Sequence, residues 1–174
     1  MSPTKHRVAV LVEDLYQEME VWYPIYRLRE AGVEVLIVGT GGKNQYTSKF
    51  GYPCVVDRAV AGLQAEELDG IVIPGGYAPD ILRRYPEVNR LVAELDRAGK
   101  VVASICHGGW VLCSAQILKG RRVTSFFAIR DDMEHAGAQW SDAEVVVDRN
   151  LVTARKPDDL PAFMKATLKL LGLF

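Results

Sequence analysis

Short apolar runs recur along the chain, and segments with a helical period separate them. In most of these runs the apolar residues are consecutive rather than alternating, which is typical of strands buried on both faces of a parallel sheet. The runs cover residues 8–12, 33–38, 71–73, 101–104, 145–147 and 151–153. This order of elements predicts an α/β fold of three layers, with a doubly wound, mostly parallel sheet in the middle.

The helical segments carry start and stop signals. The clearest segment has Pro86 near its first turn, Gly99 as its stop and an apolar stripe between them. The first helix contains Pro24, which lacks an N–H, and this predicts a late start or a kink. Asp158 or Asp159 is expected to cap the last helix. The inward face of that helix is predicted to carry Phe163, Met164, Thr167, Leu168 and Leu171.

Residues 39–56 are rich in glycine, polar and aromatic residues and have no helical period. We interpret them as a loop with short edge strands or a hairpin. The segment Gly39-Thr40-Gly41-Gly42 follows a strand, as a dinucleotide-binding loop would. However, Asn44 stands where a third glycine is needed, and no helical run follows. The sequence also lacks a Gly-Lys-Ser/Thr phosphate loop, so we expect no nucleotide cofactor.

Composition narrows the class of partner. The chain has 174 residues, a formal net charge of −1 and no block of Lys and Arg, so we expect neither nucleic acid nor a membrane surface as a partner. The length fits one compact domain, residues 1–174. The first apolar run is too short for a signal peptide or a membrane span, which predicts a cytoplasmic protein. The three cysteines form no Cys-x-x-Cys, which predicts reduced thiols and no metal site.

The strongest chemical signal is the segment from Val101 to Gly109, where a buried strand runs into Cys106, His107 and two glycines and then into a helix. This order is typical of a nucleophile elbow, a strained turn that lifts a reactive side chain out of the sheet. We also expect the positive end of the following helix to lower the pKa of the thiol by about one unit or more from about 8.5.

Each of these residues also has a simpler interpretation. Cys106 could be a small buried hydrophobe, as most free cysteines are, although packing requires neither the adjacent histidine nor the glycines. His107 could act as a general base or acid, or it could be an ordinary surface histidine. For Cys54 and Cys113, which lie in apolar surroundings, the structural interpretation is the better one.

A second strand ends in the glycine pair Gly75 and Gly76. Without a Cβ, their amides can approach a ligand closely. We interpret one of them, together with the amide of His107, as an oxyanion hole, in which one donor is typically worth ~3 kcal/mol. The alternative is a simple tight turn. Glu18 and Glu20 follow the first strand, and either could reach the same crevice or be an ordinary first-turn acid.

Five segments occur in a characteristic order along nearly the whole chain. They are Glu20-Val21-Trp22-Tyr23-Pro24 with Tyr26-Arg27-Leu28, Pro74-Gly75-Gly76-Tyr77-Ala78-Pro79, Ala103-Ser104-Ile105-Cys106-His107-Gly108, Asp131-Asp132-Met133 with Ala136-Gly137, and Asp142-Ala143-Glu144-Val145-Val146-Val147-Asp148. Together they resemble the PfpI-type intracellular protease family, in the superfamily that includes the Parkinsonism protein DJ-1. The resemblance implies a flavodoxin-like sheet of the class I glutamine amidotransferase type.

The resemblance also implies roles for single residues. Cys106 would be the nucleophile, His107 the base, and Glu20 a protonated carboxyl that donates a hydrogen bond to the thiolate. In the family's proteases a glutamate from a neighbouring subunit completes the site. Asp80 stands at that position and is one methylene shorter. Gln17 replaces a second glutamate that relatives often carry, and it could hydrogen-bond a substrate carbonyl but not transfer a proton.

The function implied by the resemblance is a cofactor-independent enzyme in which the Cys106 thiolate attacks an electrophilic carbonyl. The substrate would be methylglyoxal or glyoxal, a glycated adduct, or a peptide bond. The family's habit of self-association implies dimers or hexamers. The alternative is a redox sensor or chaperone-like stress protein that uses the same thiol. An inert structural member of the fold is a third interpretation.

Overall fold

The computed structural model describes residues 6–174, in which strands and helices alternate along most of the chain. The strands are β1 (Arg7–Leu11), β2 (Glu34–Gly39), β3 (Gln45–Thr47), β4 (Pro53–Val55), β5 (Arg58–Ala59), β6 (Gly70–Ile73), β7 (Val101–Ile105), β8 (Arg122–Val123), β9 (Gln139–Trp140), β10 (Val145–Asp148) and β11 (Leu151–Ala154). The helices are α1 (Glu18–Glu30), α2 (Ala78–Leu82), α3 (Pro86–Arg97), α4 (Gly109–Ser114), α5 (Arg130–His135) and α6 (Leu160–Leu170). Our interpretation of the amino terminus falls partly on residues 1–5, which lie outside the described residues.

Seven of these strands form the central sheet, in the order β10-β11-β7-β6-β1-β2-β5. All neighbours in it are parallel except β10 and β11, which are antiparallel. The strand order changes direction about β1, as in a doubly wound sheet. The predicted fold class and its six predicted strands are therefore confirmed. Strands β6, β7 and β11 are buried along their whole length, which explains their unbroken apolar sequences.

The helices form two groups. α1 and α6 pack against each other and against the sheet, and α4 contacts α2, α3 and α5. The predicted limits of α3 are confirmed, and the inward residues predicted for α6 are buried. The expected late start of α1 is wrong. The helix begins at Glu18 with Pro24 inside it, because the Gln17 side chain caps it and Val21, Ile25 and Leu28 anchor its inner face.

Residues 39–56 contain a hairpin of β3 and β4, as predicted, which lies outside the central sheet. The buried Tyr46 hydroxyl accepts a hydrogen bond from the Gly41 amide at 3.2 Å and pairs with Thr40 at 2.9 Å. The backbone N–H of Lys49 donates to Tyr16 O at 3.0 Å. These contacts hold the segment after β3 beside the start of α1.

Parallel strands place their carboxyl ends at one edge of the sheet. β1 pairs with β6 and β6 pairs with β7 in register, so that Ile73 lies opposite Ser104. The Gly75–Gly76 turn and Cys106 therefore emerge side by side, and this edge is where α/β sheets bind their ligands. Among the described residues, no helix is long and apolar enough to cross a membrane.

Candidate active site

Cys106 lies directly after β7, at the start of a 3-10 turn, Cys106–Gly108, that leads into α4. Its φ is +60°, in the left-handed region, which costs a residue with a side chain roughly 1–2 kcal/mol. A Cβ on Gly108 would lie 2.6 Å from both Ile73 O and Ser104 Oγ. The turn thus needs both the strained cysteine and its small neighbour, and it has the geometry of the predicted nucleophile elbow.

Four groups surround the sulfur of Cys106, a residue that is 8% exposed. The Nδ1 atom of His107 lies 3.2 Å from Sγ. The backbone amides of His107 and Gly76 are directed at the same sulfur. The carboxyl of Glu20 lies against it from the side of α1. The structure therefore brings together Cys106 and His107, which are adjacent in the elbow segment, and Glu20, which lies 86 residues before Cys106 in the sequence.

Glu20 is fully buried in the first turn of α1. Its Oε2 accepts a 2.7 Å hydrogen bond from the Gly75 amide, whereas Oε1 is buried and has no hydrogen-bond partner among the described residues. Burial raises the pKa of Glu20 to about 7, because a charged carboxylate is poorly solvated there. A protonated Oε1 could donate to the sulfur. Glu18, the alternative in the sequence, instead accepts hydrogen bonds from Ser48 and from the Phe50 amide.

The expectation that the following helix lowers the pKa of Cys106 is wrong for the resting site. Burial is the largest influence and raises the pKa of the thiol, and a charged Glu20 raises it further. The amides of His107 and Gly76 oppose this shift, and α4 has only six residues. When Glu20 holds the proton, its repulsion disappears and it becomes a hydrogen-bond donor to sulfur. The site can therefore pass from a thiol beside a carboxylate to a thiolate beside a carboxylic acid by moving one proton from Cys106 to Glu20, without gaining or losing a proton.

The His107 ring is held between two aromatic side chains. Its centroid lies 4.9 Å from that of Phe126 in a stacked arrangement and 5.1 Å from that of Trp110 edge-on. Burial lowers the pKa of His107, so the ring is neutral near pH 7 and can accept a proton. The ring reaches the sulfur although the two residues are adjacent in sequence, with Nδ1 3.2 Å from Sγ.

Asp80 does not complete this site within the chain. It lies in α2 and forms a salt bridge with Arg84 on the next turn of the same segment. No salt bridge joins His107 to a carboxylate anywhere in residues 6–174. The expectation that Asp80 acts across a subunit interface therefore stays a prediction.

The glycine pair has divided roles. The Gly75 amide is engaged by Glu20, so Gly75 is a positioning residue and not the oxyanion donor that the sequence allowed. A Cβ at Gly75 would lie 2.6 Å from Glu20 Oε2 and 2.7 Å from Cys106 Cβ. Gly76 has a φ of +77° and directs its amide at the sulfur. The amides of Gly76 and His107 are thus the two donors that a developing oxyanion could use.

Gln17 lies at the mouth of the site and is 8% exposed. Its Oε1 accepts a 3.0 Å hydrogen bond from the Glu20 amide and caps α1. Its oxygen is therefore committed to the helix, which the sequence did not predict. The amide nitrogen has no hydrogen-bond partner among the described residues and is the atom that could donate to a substrate carbonyl.

Gln17, Glu20, Cys106 and His107 line a cleft of about 570 Å³. Its other walls are Leu15, Lys49, Gly76, Tyr77, Trp110, Phe126, Lys156 and Pro157. Sequence reasoning missed Lys49, Phe126 and Lys156 as site residues, because they follow no motif and come from loops. Trp110 directly follows the elbow segment in the sequence, and this position was a signal that could have identified it as a site residue.

A larger groove of about 650 Å³ lies beside the cleft and shares Pro157 with it. Four of its wall residues are aromatic, namely Trp22, Tyr23, Tyr26 and Tyr52. It contains no cysteine or histidine, so we assign the chemistry to the smaller cleft. Within residues 6–174, no cluster of three or more His, Cys, Asp or Glu residues could hold a metal ion.

The fold and the site define a class, the α/β proteins that present a cysteine on an elbow beside a buried glutamate. The chain belongs to the DJ-1/PfpI family, whose model matches residues 6–170.

The relatives of this chain include proteins named as a deglycase and as a putative cysteine protease. Deglycase TK1284 of Thermococcus kodakarensis is 44% identical over 165 residues, which are 95% of this chain and 99% of that protein. The putative cysteine protease YraA of Bacillus subtilis is 38% identical over 165 residues, covering 95% and 98%. A two-domain protein from Anabaena variabilis with DJ-1/ThiJ/PfpI-like and ferritin-like domains has a TM-score of 0.94 and 41% identity; the match covers 97% of this chain and 48% of that one.

Proposed function

We propose that this chain is a cofactor-independent deglycase and glyoxalase that acts on small reactive carbonyls, such as methylglyoxal and glyoxal, and on their glycated adducts. The observation that carries the proposal is the Cys106 sulfur on a strained elbow, 3.2 Å from His107 Nδ1 and against Glu20. The name of the Thermococcus kodakarensis relative, a deglycase, supports it. A cytoplasmic location and self-association remain part of this proposal.

The first step is addition of the Cys106 thiol across the carbonyl. Sγ forms a bond to carbon, the thiol proton passes to Nδ1 of His107, and the C=O electron pair moves onto oxygen. The amides of Gly76 and His107 stabilise that oxygen, which then takes the proton back from the histidine. For methylglyoxal, a proton shift between the two carbons gives a lactoyl thioester. Water then hydrolyses the thioester, which releases lactate and restores the thiol. The net reaction converts methylglyoxal and water into lactate.

The test is lactate formation from methylglyoxal by purified protein in an amine-free buffer. We expect Cys106→Ser to lower kcat/KM at least about 10³-fold, because the nucleophile acts as a unit with its base. Cys113→Ser is the matched control, since that thiol lies outside the cleft, and it should keep the wild-type rate. Equal rates for the Cys106→Ser variant and the wild type would refute the proposal.

A peptidase is the second candidate, and the Bacillus subtilis relative named a putative cysteine protease favours it. Peptide hydrolysis needs an oriented His107, and within the described chain no carboxylate holds the ring. Asp80 of a second subunit would have to do so. Cleavage of a fluorogenic peptide that survives extensive purification and is lost in both Cys106→Ala and Asp80→Asn would support the peptidase. Cleavage that survives Cys106→Ala would exclude it.

A further inference from the structure

The catalytic cleft has an unbalanced set of charges. Its only acidic wall residue is Glu20, which is fully buried at the base of the cleft. Two lysines, Lys49 and Lys156, line the same cleft and are exposed at its surface. No Asp or Arg is among the lining residues. When Glu20 is protonated, the charge that a substrate meets on entering is positive.

Lys49 approaches the reacting groups from the hairpin side. Its backbone is fixed by the 3.0 Å hydrogen bond from its N–H to Tyr16 O, and its Nζ lies 5.0 Å from the centroid of the Phe50 ring. Its charge acts on both Glu20 and His107, the two neighbours of the sulfur. Lys49 forms no salt bridge within residues 6–174, so its charge is not offset by a fixed carboxylate.

Lys156 approaches from the segment between β11 and α6. Its Nζ lies 3.2 Å from Asp158 Oδ2, and the Asp158 side chain is 80% exposed. An ion pair this exposed is worth little because water and salt screen it. Lys156 can therefore turn from Asp158 to an anion in the cleft. Two cations from separate loops then flank one small, mostly apolar cleft, which concentrates anions near the sulfur.

We propose that Lys49 and Lys156 bind an anionic group of the substrate, so that the preferred substrate is an oxo compound carrying a carboxylate or phosphate close to its reacting carbonyl. This inference rests on the proposed function, because it concerns the substrate of the same cysteine. A neutral dicarbonyl such as methylglyoxal would use only part of the site. The lysines are binding residues and transfer no proton in this scheme.

The experiment compares two alkylating reagents that differ in charge. Iodoacetate is an anion and iodoacetamide is neutral, and both modify the same thiolate. The ratio of their rates at Cys106, measured by intact mass, therefore cancels any change in the thiol pKa. Relative to the same ratio for N-acetylcysteine, we expect the wild-type protein to favour iodoacetate about five- to tenfold. Raising the salt concentration should reduce that preference.

The double variant Lys49→Gln and Lys156→Gln should bring the ratio down to that of N-acetylcysteine. Lys169→Gln is the control, because it removes one lysine charge by the same substitution on an exposed part of α6 away from the cleft. It should leave the ratio as in the wild type. Competition distinguishes the two anions. Lactate should slow iodoacetamide labelling if the site takes a carboxylate, and glycerol 3-phosphate should do so if it takes a phosphate.

A wild-type ratio equal to that of N-acetylcysteine, or a failure of both anions to protect Cys106, overturns the lysine site and leaves the proposed function standing. A ratio that is raised equally in the wild type and the double variant also overturns it. If Cys106 reacts with neither reagent faster than Cys113 does, the nucleophile itself is refuted, and the proposed function fails with it. The two failures are therefore distinguishable.

Discussion

Two buried polar clusters lie at opposite edges of the same sheet, and they are built differently. At the edge where β7 and β11 begin, Arg121 is 3% exposed and surrounded by acceptors. Its guanidinium lies 3.0 Å from Asp96 Oδ1, 3.4 Å from Asp148 Oδ2 and 3.2 Å from Asn150 Oδ1. It also donates to the Asp148 carbonyl at 2.6 Å. Both Nη atoms of Arg121 donate hydrogen bonds, and its Nε, which makes no hydrogen bond among the described residues, is balanced by the carboxylate of Asp148.

At the carboxyl edge, by contrast, one oxygen of the buried Glu20 has no partner and Cys106 sits in a strained backbone conformation. A buried guanidinium between two carboxylates is stable in its charged state only. A buried carboxyl that has one oxygen without a hydrogen-bond partner and lies beside a thiol can exist in two protonation states of similar energy. The difference teaches that the Arg121 cluster fixes the start of the strands, whereas the Glu20 cluster keeps a proton available for chemistry.

The largest effect on the free energy of unfolding is expected for Arg121→Met, which tests whether the Arg121 cluster is structural. We expect it to lower the free energy of unfolding by about 3–5 kcal/mol, because Asp96 and Asp148 then lose their partner in a partly buried place. Urea unfolding measures the change. Arg97→Met is the control, since Arg97 is exposed and forms no hydrogen bond or salt bridge among the described side chains. A loss no larger than that of the control would mean that the cluster is not structural.

The next prediction concerns Glu20→Gln, which keeps the shape of the side chain but cannot ionise. Burial raises the pKa of Glu20 to about 7 from its ordinary value of 4.5, so between these pH values the folded state binds a proton that the unfolded state does not. The wild-type free energy of unfolding should therefore fall as pH rises from about 4.5 to about 7, by about 3 kcal/mol from this residue.

Urea unfolding at about pH 5 and about pH 8 checks this, with the difference between wild type and variant isolating Glu20 from other titrating groups. The stability of the wild type relative to Glu20→Gln should be greater at the lower pH. An unchanged difference at the two pH values would show that Glu20 ionises normally, and the contrast with the Arg121 cluster would then disappear.

Much of the fold was predictable because buried strands and capped helices have local sequence signals. The runs at residues 101–104 and 151–153 and the limits of α3 are examples. The late start predicted for α1 as one of two alternatives was wrong, because the cap from Gln17 and the packing of the inner face outweigh the cost of Pro24 inside the helix. Strands as short as β5 and β8 gave no signal, since two residues carry no period.

The site was predictable only as far as its motif extends. The elbow around Cys106 and the glycine turn are each formed by consecutive residues, and both are present in the structure. The use of the Gly75 amide by Glu20 depends on a contact between residues 55 positions apart, which no local pattern reports. Lys49 and Lys156 reach the cleft from loops, and loop residues have no periodicity that would indicate which way they face.

The smallest predicted effect is at Cys113, which lies in α4, the helix that follows the elbow, and lacks the site's features. Its Sγ lies 3.7 Å from Met133 Sδ, and burial raises the pKa of this thiol to about 11. Cys113→Ala should cost about 1 kcal/mol of stability, as the loss of one small, half-buried group would, and should leave the iodoacetamide labelling rate of Cys106 unchanged. Intact-mass kinetics on this variant and on Cys106→Ala measure the two thiols separately. If Cys113 labels as fast as Cys106, the Glu20 cluster gives Cys106 no added reactivity, and the assignment of Cys106 as the nucleophile fails.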